Sequence, residues 1–386
     1  MRFQEKKRLK KIFFWSIVPQ NENVWGAIMS DLKTEMKAAA EKINHIIRND
    51  SFPETIRPEE LRIAVRTYPS MGGKRLRPIL LLWTCGLFNG DPETALPAAA
   101  AVEIYHNWTL VHDDIIDCDD FRRGVPTSHT EIACYASGVF HVNETVAAKF
   151  GKDLAILAGD VQHAWAVNML LRLTENGVDP GLVIQLCRRM QEVLNRELIS
   201  GEALDVELAL RKIGSVDENS VLRMISGKTC ALLTFCVQCG AAIAAGKADF
   251  ESPEQLALAE FAEKLGLAYQ LQDDLLGVYG EIEQFGKPPC SDFKECKPTL
   301  LYLEAKKRLT GENAKLLETL TGQPFYSSEM VEIIKKLLTD CGAEDAVRQR
   351  EKALTDEALA ALRNLPDNPY REKLIALTEY LMKRNI

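Results

Sequence analysis

The sequence predicts an all-α protein, and three observations support this fold class. Apolar residues recur at spacings of three and four along most of the chain, as on the buried face of a helix. Alternating apolar and polar runs of strand length are scarce. Alanine-rich blocks at Ala98–Ala101 and Ala241–Ala245 favour close packing between helices. Helices are predicted near 23–48, 58–68, 77–87, 97–117, 144–174, 179–207, 217–245, 253–280, 298–309, 313–320, 328–340, 343–364 and 368–384.

Glycine and proline separate the predicted helices. Gly214 and Pro253 fall between helices, whereas Pro78 falls in a first turn, where the missing N–H has no helical partner to lose. The sequence shows no repeat of 20–50 residues and no low-complexity linker. We therefore predict one helical domain over 23–386, preceded by an N-terminal extension over 1–22.

Composition and charge exclude several classes of protein. The chain has 386 residues, of which 46% are hydrophobic and 26% charged, as in ordinary soluble domains. A net charge of −8 argues against a nucleic-acid partner, which would require a basic face. Among ten cysteines, the pair Cys236 and Cys239 has no second pair at metal-ligand spacing, so zinc is not predicted. Buried, reduced thiols in a cytoplasmic protein are the expectation.

The N-terminal extension is basic and then apolar. Lys6, Lys7 and Arg8 precede the apolar run Ile12–Val18. That run is shorter than the roughly 20 residues that span a membrane, and no small-residue cleavage site follows it. Three alternatives stay open, namely weak contact with a membrane surface, packing on the body of the protein, and disorder.

The first block of chemically informative residues ends a long apolar helix. Asp113, Asp114 and Asp117 follow it, and Arg122-Arg123 come shortly after. Asp113 and Asp117 are four residues apart, which places them on one helix face. Mg²⁺ suits such a pair, since it takes hard oxygen ligands and is usually completed by substrate phosphates. The alternative is a solvated acidic face, which the preceding apolar stretch argues against.

A second acidic pair and a basic turn complete the pattern. Asp273-Asp274 also end an apolar helical run, and lysines follow at Lys287 and Lys297. Near the N-terminus, the Gly72–Arg77 segment places three cations after two glycines, an arrangement that can bind phosphate. It lacks the P-loop pattern. The alternative is a helix break that carries surface charges.

Taken in order, these motifs resemble those of the trans-isoprenyl diphosphate synthase (polyprenyl synthetase) family. The resemblance covers roughly residues 65–305, with Lys228-Thr229 between the two acidic motifs. It implies a single helical bundle of the isoprenoid synthase type around a central cavity. It also implies a homodimer, an allylic diphosphate and isopentenyl diphosphate as substrates, and three Mg²⁺ ions.

The resemblance also implies roles for individual residues. The metal ligands would be Asp113, Asp114, Asp117, Asp273 and Asp274. The allylic diphosphate would contact Arg122, Lys228 and Lys287, with Thr229 and Gln270 as polar supports. The diphosphate of isopentenyl diphosphate would contact Lys74, Arg77, His106 and Arg123, with Lys297 as a closing contact from a loop.

Product length is expected to depend on the helix that precedes Asp113. Trp108 lies five residues before Asp113, about 7.5 Å along a helix axis at 1.5 Å per residue. With Thr109 and Tyr105, it resembles the floor of a short-chain synthase, which implies a farnesyl or geranylgeranyl product. The alternative is that Trp108 only packs against a neighbouring helix.

One departure from the family pattern and two rival functions stand beside this hypothesis. The second acidic motif ends in Gly277 rather than in aspartate, which leaves its metal affinity in question.

A terpene cyclase shares metal-assisted ionisation but needs no second diphosphate site, so Lys74, Arg77 and His106 argue against it. A regulatory subunit of a heteromeric synthase is the other alternative, and such subunits tend to lose the aspartates that this chain keeps.

Overall fold

Two long helices carry the two aspartate motifs, and the remaining helices surround them. The protein is described by a computed structural model that covers residues 22–122, 124–280 and 288–383. Its helices are α1 (Glu22–Asn49), α2 (Glu59–Ser70), α3 (Leu76–Leu87), α4 (Leu96–Ile116), α5 (Ser128–Phe140), α6 (Glu144–Leu171), α7 (Pro180–Arg189), α8 (Arg196–Leu210), α9 (Glu218–Ile225), α10 (Ala231–Ala245), α11 (Pro253–Tyr279), α12 (Ser291–Lys294), α13 (Leu300–Arg308), α14 (Gly311–Leu320), α15 (Ser328–Asp340), α16 (Ala343–Arg363) and α17 (Pro369–Met382).

Side-chain caps and prolines define where several of these helices begin. The side chain of Asn143 accepts a hydrogen bond from the backbone N–H of Val146 at the start of α6. Ser252 does the same for α11, whose first residue is Pro253. Such caps satisfy N–H groups that the first helical turn leaves without partners. These local signals explain why most predicted helix boundaries lie within a few residues of the observed ones.

The all-α prediction is confirmed, and the structure adds features that the periodicity did not indicate. The only strands among the described residues are β1 (Phe121–Arg122) and β2 (Val125–Pro126), which form a small antiparallel hairpin. Helix α5 (Ser128–Phe140) was not predicted. Two predicted helices contain π-helical turns, Met190–Asn195 between α7 and α8 and Ser226–Cys230 between α9 and α10.

Helix α4 lies in the core, where it packs against α6, α3 and α1. Helix α10 is likewise buried and packs against α3 and α11. Among the described helices, the last, α17, contacts α1 and α3 near the start of the described chain. The single domain over 23–386 stays a prediction. Two helical stretches, Glu144–Asn176 and Glu218–Ala245, are long and apolar enough to span a membrane, but a core helix meets the same criteria.

Candidate active site

One face of α4 lines a large cavity. Glu103, His106 and Leu110 are among the lining residues of this cavity, whose volume is about 940 Å³. Their spacing of three and four residues continues to Asp113 at the end of the helix and to Asp117 just after it. Asp113 and Asp117 therefore continue the face of α4 that lines the cavity, although neither is itself a lining residue.

The same cavity brings together basic and acidic residues from distant parts of the chain. These come from the turn before α3, from α4, from the hairpin, from the π-helical turn before α10 and from α11. Of the residues predicted from the sequence, Lys74, Arg77, His106, Arg122, Thr229, Gln270 and Asp273 all line it. Tyr380 and Lys383 line it from the C-terminal end of the described chain.

Arg75 holds the basic turn in place. It is buried, and its guanidinium forms an ion pair with Glu103 on α4. Its Nε donates to Asn44 Oδ1 at 2.8 Å and its Nη2 donates to the carbonyl oxygen of Met71 at 2.7 Å. Arg77 is left to face the cavity, where its Nη1 lies 3.1 Å from His106 Nε2. All three cations of this turn line the cavity, but only Arg75 is buried in contacts that anchor the turn.

Lys228 is surrounded by three carboxylates. Its Nζ lies 2.9 Å from Asp113 Oδ1, 2.7 Å from Asp205 Oδ2 and 3.0 Å from Glu202 Oε2. Burial would lower the pKa of this lysine, but the three carboxylates more than offset burial and raise it above the ordinary value. Lys228 is therefore charged at neutral pH.

A close helix crossing and a π-helical turn place Lys228 there. Gly201 on α8 meets the backbone of Gly227 and Lys228, and a Cβ at position 201 would collide with the backbone nitrogen of Lys228. The π-helical turn Ser226–Cys230 inserts an extra residue into the helix at this point. Such turns are frequent at functional sites because they re-aim side chains.

Asp113 lies between two cations. It accepts from Lys228 and also from Arg122 Nη2, at 3.1 Å to Oδ2. Burial alone would raise the pKa of Asp113, but the nearby ammonium and guanidinium lower it below the ordinary value. Asp113 is therefore ionised over the physiological pH range, as a metal ligand must be.

Asp114 points away from the solvent. Its side chain is only 1% exposed, and its oxygens accept from Arg122 Nε at 2.8 Å and 3.0 Å and from the hydroxyl of Tyr68. Both oxygens are thus engaged inside the protein. This position does not fit the metal-ligand role predicted for Asp114 from the sequence.

Asp117 contacts the segment that carries α12. Lys297 Nζ donates to Asp117 Oδ2 at 3.2 Å. A second cavity of about 140 Å³ lies beside this contact, and Lys228, Asp274, Asp292 and Lys297 are among its lining residues. Thr229 and Gln270 line both cavities, so the two cavities adjoin, with Asp273 in the first and Asp274 in the second.

The side chains of the second motif differ in exposure. Asp273 lines the large cavity, whereas Asp274 is buried and its Oδ1 accepts from Gln270 Nε2 at 3.0 Å. Thr229 Oγ1 in turn donates to Gln270 Oε1 at 3.4 Å. Burial raises the pKa of Asp274 well above its ordinary value, and the charge of Asp292 adds to this. A nearby cation would lower it again.

The chemistry of these donors fits magnesium. Among the described residues, no three His, Cys, Asp or Glu side chains lie close enough to hold a metal ion by themselves. Mg²⁺ commonly takes one or two carboxylates and completes its shell with water and substrate phosphate. Asp113, Asp117 and Asp273 supply carboxylates of this kind around the cavities. The site therefore fits a metal that binds together with a diphosphate.

Glu202, Asp205 and Tyr68 belong to the site but were missed in the sequence. Glu202 and Asp205 are three residues apart on α8, one turn apart on a face that packs against the π-helical turn. That spacing was a usable signal. Tyr68 gave none, since a tyrosine in an apolar helix is normally a core residue.

Trp108 does not line the large cavity. Its ring packs edge-on against Tyr105, with centroids 4.8 Å apart, and lies 4.7 Å from the ring of His163 on α6. Tyr105 donates its hydroxyl to Asn195 Oδ1 at 3.2 Å, and Thr109 donates to the carbonyl of His106. The predicted role in chain length requires the growing chain to reach this aromatic cluster between α4 and α6, and it stays a prediction.

Arg123, Lys287 and residues 1–21 of the N-terminal extension lie outside the described residues. The roles predicted for them stay predictions.

Comparison with known proteins agrees with this geometry. A model of the polyprenyl synthetase family matches residues 58–338. The chain belongs to this family. The geranylgeranyl diphosphate synthase of Methanosarcina mazei is 32% identical over 357 residues, which cover 92% of this chain and 99% of that protein. The family assignment makes this chain a trans-prenyltransferase of isoprenoid biosynthesis.

Solved structures show the same fold. The geranylgeranyl pyrophosphate synthetase from Pyrococcus horikoshii OT3 has a TM-score of 0.78 and 29% identity, with 92% of this chain and 99% of that chain covered. The geranylgeranyl pyrophosphate synthase from Corynebacterium glutamicum, complexed with isoprenyl diphosphate and magnesium, has a TM-score of 0.78 and 28% identity, with 92% and 99% covered. As a polyprenyl synthetase, this chain has the isoprenoid synthase bundle that the motifs implied.

Proposed function

We propose that this polyprenyl synthetase condenses an allylic diphosphate with isopentenyl diphosphate to give farnesyl or geranylgeranyl diphosphate. One observation carries the proposal. One set of basic residues, Lys74, Arg77 and His106, lines the large cavity. A second set lies near the aspartates, with Arg122 in the large cavity and Lys228 in the adjoining one. Two substrates with diphosphate groups need two such sets side by side.

The first set of basic residues suits isopentenyl diphosphate. Arg77 and His106 lie within hydrogen-bond distance of each other and border the cavity with Lys74. Guanidinium and ammonium groups are the usual partners of phosphate oxygens. We assign this substrate's diphosphate to Lys74, Arg77 and His106, with Arg123 as a further contact.

The second set suits the allylic diphosphate. Arg122 lines the cavity and contacts Asp113, and Lys228 contacts Asp113 from the opposite element. Thr229 and Gln270 lie between the two cavities. We assign the allylic diphosphate to Arg122 and Lys228, with Lys287 as a further contact and with Thr229 and Gln270 as polar supports.

Asp113, Asp117 and Asp273, with Asp274 behind them, would hold the three Mg²⁺ ions that we propose. When bound, these ions act as Lewis acids on the diphosphate oxygens and stabilise the leaving group. The Corynebacterium relative contains magnesium and isoprenyl diphosphate, which supports this cofactor.

During the reaction, residues of this chain stabilise the charge of the leaving group and position the substrates. The allylic carbon–oxygen bond breaks and its electron pair leaves with the diphosphate, whose growing negative charge Lys228 and Arg122 stabilise. The double bond of isopentenyl diphosphate attacks the allylic carbon. A proton then leaves the adjacent carbon for the departing diphosphate. Lys297, which bridges to Asp117, would help to close the cavity against water, which would otherwise trap the carbocation.

We further propose a homodimer in the cytoplasm. Exposed apolar side chains are concentrated on α5, α6 and α8, and they include Phe140, Ile156, Leu157, Ile199 and Leu210. Such surfaces commonly mark protein–protein contacts. All ten cysteines are free thiols, as in reducing compartments. Contact of the N-terminal extension with a membrane surface is a weaker proposal.

A prenyl-transfer assay on the purified chain tests the proposed function. The chain is mixed with MgCl₂, isopentenyl diphosphate and one of three allylic primers with five, ten or fifteen carbons, and products are sized by mass spectrometry. We expect products of fifteen or twenty carbons. Consumption of an allylic diphosphate without isopentenyl diphosphate would indicate a terpene cyclase. An inactive, folded chain that gains activity only with a second subunit would indicate a regulatory subunit.

A further inference from the structure

Tyr68 donates a buried hydrogen bond beneath the first acidic motif. It lies near the end of α2, its side chain is buried against Val111 and Ala155, and its hydroxyl donates to Asp114 Oδ2. It does not line the large cavity. Its hydroxyl thus touches neither of the predicted substrate positions, although it lies one hydrogen bond from the acidic motif.

Asp114 accepts hydrogen bonds from both Tyr68 and Arg122 and so connects these two residues. Arg122 Nε donates to both oxygens of Asp114, and its Nη2 reaches Asp113 Oδ2 at 3.1 Å. Arg122 itself stands on the short strand β1, which makes few other contacts with the helices. The backbone N–H of Asp119 also donates to the carbonyl of Asp114, at 2.9 Å. Asp114 therefore makes most of the hydrogen bonds that join Arg122 to α4.

We propose that Tyr68 is a positioning residue for diphosphate binding, which acts through Asp114 to hold Arg122 toward the cavity. A carboxylate that receives one neutral donor and one bidentate guanidinium has a single preferred orientation, and the planar guanidinium then has one as well. Without the hydroxyl, Asp114 can rotate, and Arg122 loses its fixed direction. Asp114 is accordingly assigned to positioning rather than to metal binding.

The test uses inorganic diphosphate with MgCl₂ as the probe, so it does not depend on turnover. Its dissociation constant is measured by isothermal titration calorimetry for the full chain, for Tyr68→Phe and for Tyr326→Phe. Tyr326 is the matched control, since its hydroxyl donates to a backbone carbonyl at 2.6 Å and it is not a lining residue of the large cavity. We expect Tyr68→Phe to weaken binding about tenfold, as is usual for residues that orient a ligand's direct contacts, and Tyr326→Phe to leave it unchanged.

A double-mutant cycle separates positioning from general damage. If Tyr68 acts through Arg122, Tyr68→Phe should change the dissociation constant by less than about twofold in an Arg122→Lys background, because coupled residues are not additive. Equal effects in both backgrounds, or a lower melting temperature with unchanged binding, would overturn the proposal. Should Tyr68→Phe fail to fold, Asp114→Asn carries the same expectation of about tenfold weaker binding.

The inference rests on the proposed function only for the identity of the diphosphate ligand. In the prenyl-transfer assay, Tyr68→Phe should raise KM for the allylic diphosphate about tenfold and leave KM for isopentenyl diphosphate within about twofold. A wild-type chain that binds diphosphate with the expected coupling but transfers no prenyl group would refute the function and keep the positioning role. A wild-type chain that binds no diphosphate would refute the positioning role.

Discussion

Lys297 Nζ donates to Asp117 Oδ2 at 3.2 Å and so joins two residues that lie 180 positions apart in the chain. The contact ties the segment with α12 to the end of the first acidic motif. Burial would lower the pKa of Lys297, but Asp117 and Glu295 raise it above the ordinary value, so this lysine stays charged.

Loss of this contact should slow the reaction. We expect Lys297→Met to lower kcat/KM by about tenfold or more, since a charged group near the leaving diphosphate would be missing. Steady-state kinetics measure this. Lys294→Met is the control, because Lys294 is exposed on the same segment. Equal losses in both variants would assign the effect to the segment and not to the bridge.

Asp113 should be the most sensitive carboxylate. Asp113→Asn removes a charge that balances Lys228 and Arg122, and we expect kcat to fall by about 100-fold or more. Higher MgCl₂ should not restore it. Asp120→Asn changes an exposed carboxylate a few residues away and should retain activity. A fully active Asp113→Asn enzyme would contradict the metal assignment.

Trp108→Ala tests the predicted floor. We expect products longer by at least one five-carbon unit, since the aromatic cluster with Tyr105 and His163 would open. The variant should also lose about 3–5 kcal/mol of stability, as truncation of a buried tryptophan usually does. Trp165→Ala, which truncates another buried tryptophan, should lose similar stability but keep the product length. An unchanged product distribution in Trp108→Ala would reject the floor.

The stability of the protein should fall in mild acid because of His163. Burial lowers the pKa of His163 below its ordinary value. As the pH falls through about 6.5, His163 therefore becomes protonated in the unfolded chain while it stays neutral in the folded chain. The destabilisation therefore grows as the pH falls below about 6.5. Urea unfolding at several pH values should show a weaker acid dependence for His163→Phe than for the wild type. Identical slopes would contradict this assignment.

Dimer formation should depend on α6. Leu157→Glu places a charge on an exposed apolar position of this helix, and we expect light scattering to show a shift from dimer to monomer. Leu256→Glu changes a leucine of similar exposure on α11 and should leave the dimer intact. A Leu157→Glu variant that remains dimeric would show that the interface lies on another surface.

The sequence was sufficient for most of the helices and for most of the residues around the cavity, because both depend on local spacing. Periodicity predicted α4 and α11. The ordered motifs predicted that Lys74, Arg122 and Asp273 would share a site, and all three line the large cavity. Helix α5 was missed because only four of its positions are buried and two of these, Ser128 and His129, are polar. The π-helical turns were missed because an inserted residue leaves the flanking helical pattern intact.

Contacts between distant segments were beyond sequence reasoning. Nothing local indicates that Tyr68 meets Asp114. The spacing of Glu202 and Asp205 indicates a shared helix face, but not that this face meets Lys228. The role of Asp114 illustrates the same limit, since its neighbour Asp113 has the same residue type but a different orientation on the helix. Burial and direction of a side chain, rather than its identity, separate the two.

At Gly201, the close packing of two helical elements fixes the position of Lys228. Since α8 and the turn before α10 touch there backbone to backbone, the space for a side chain is absent, and even an alanine would force the two elements apart. The ammonium of Lys228 would then move away from Asp113, Glu202 and Asp205, and the three carboxylates would repel one another. A single methyl group at position 201, which lines neither cavity, is therefore expected to abolish activity.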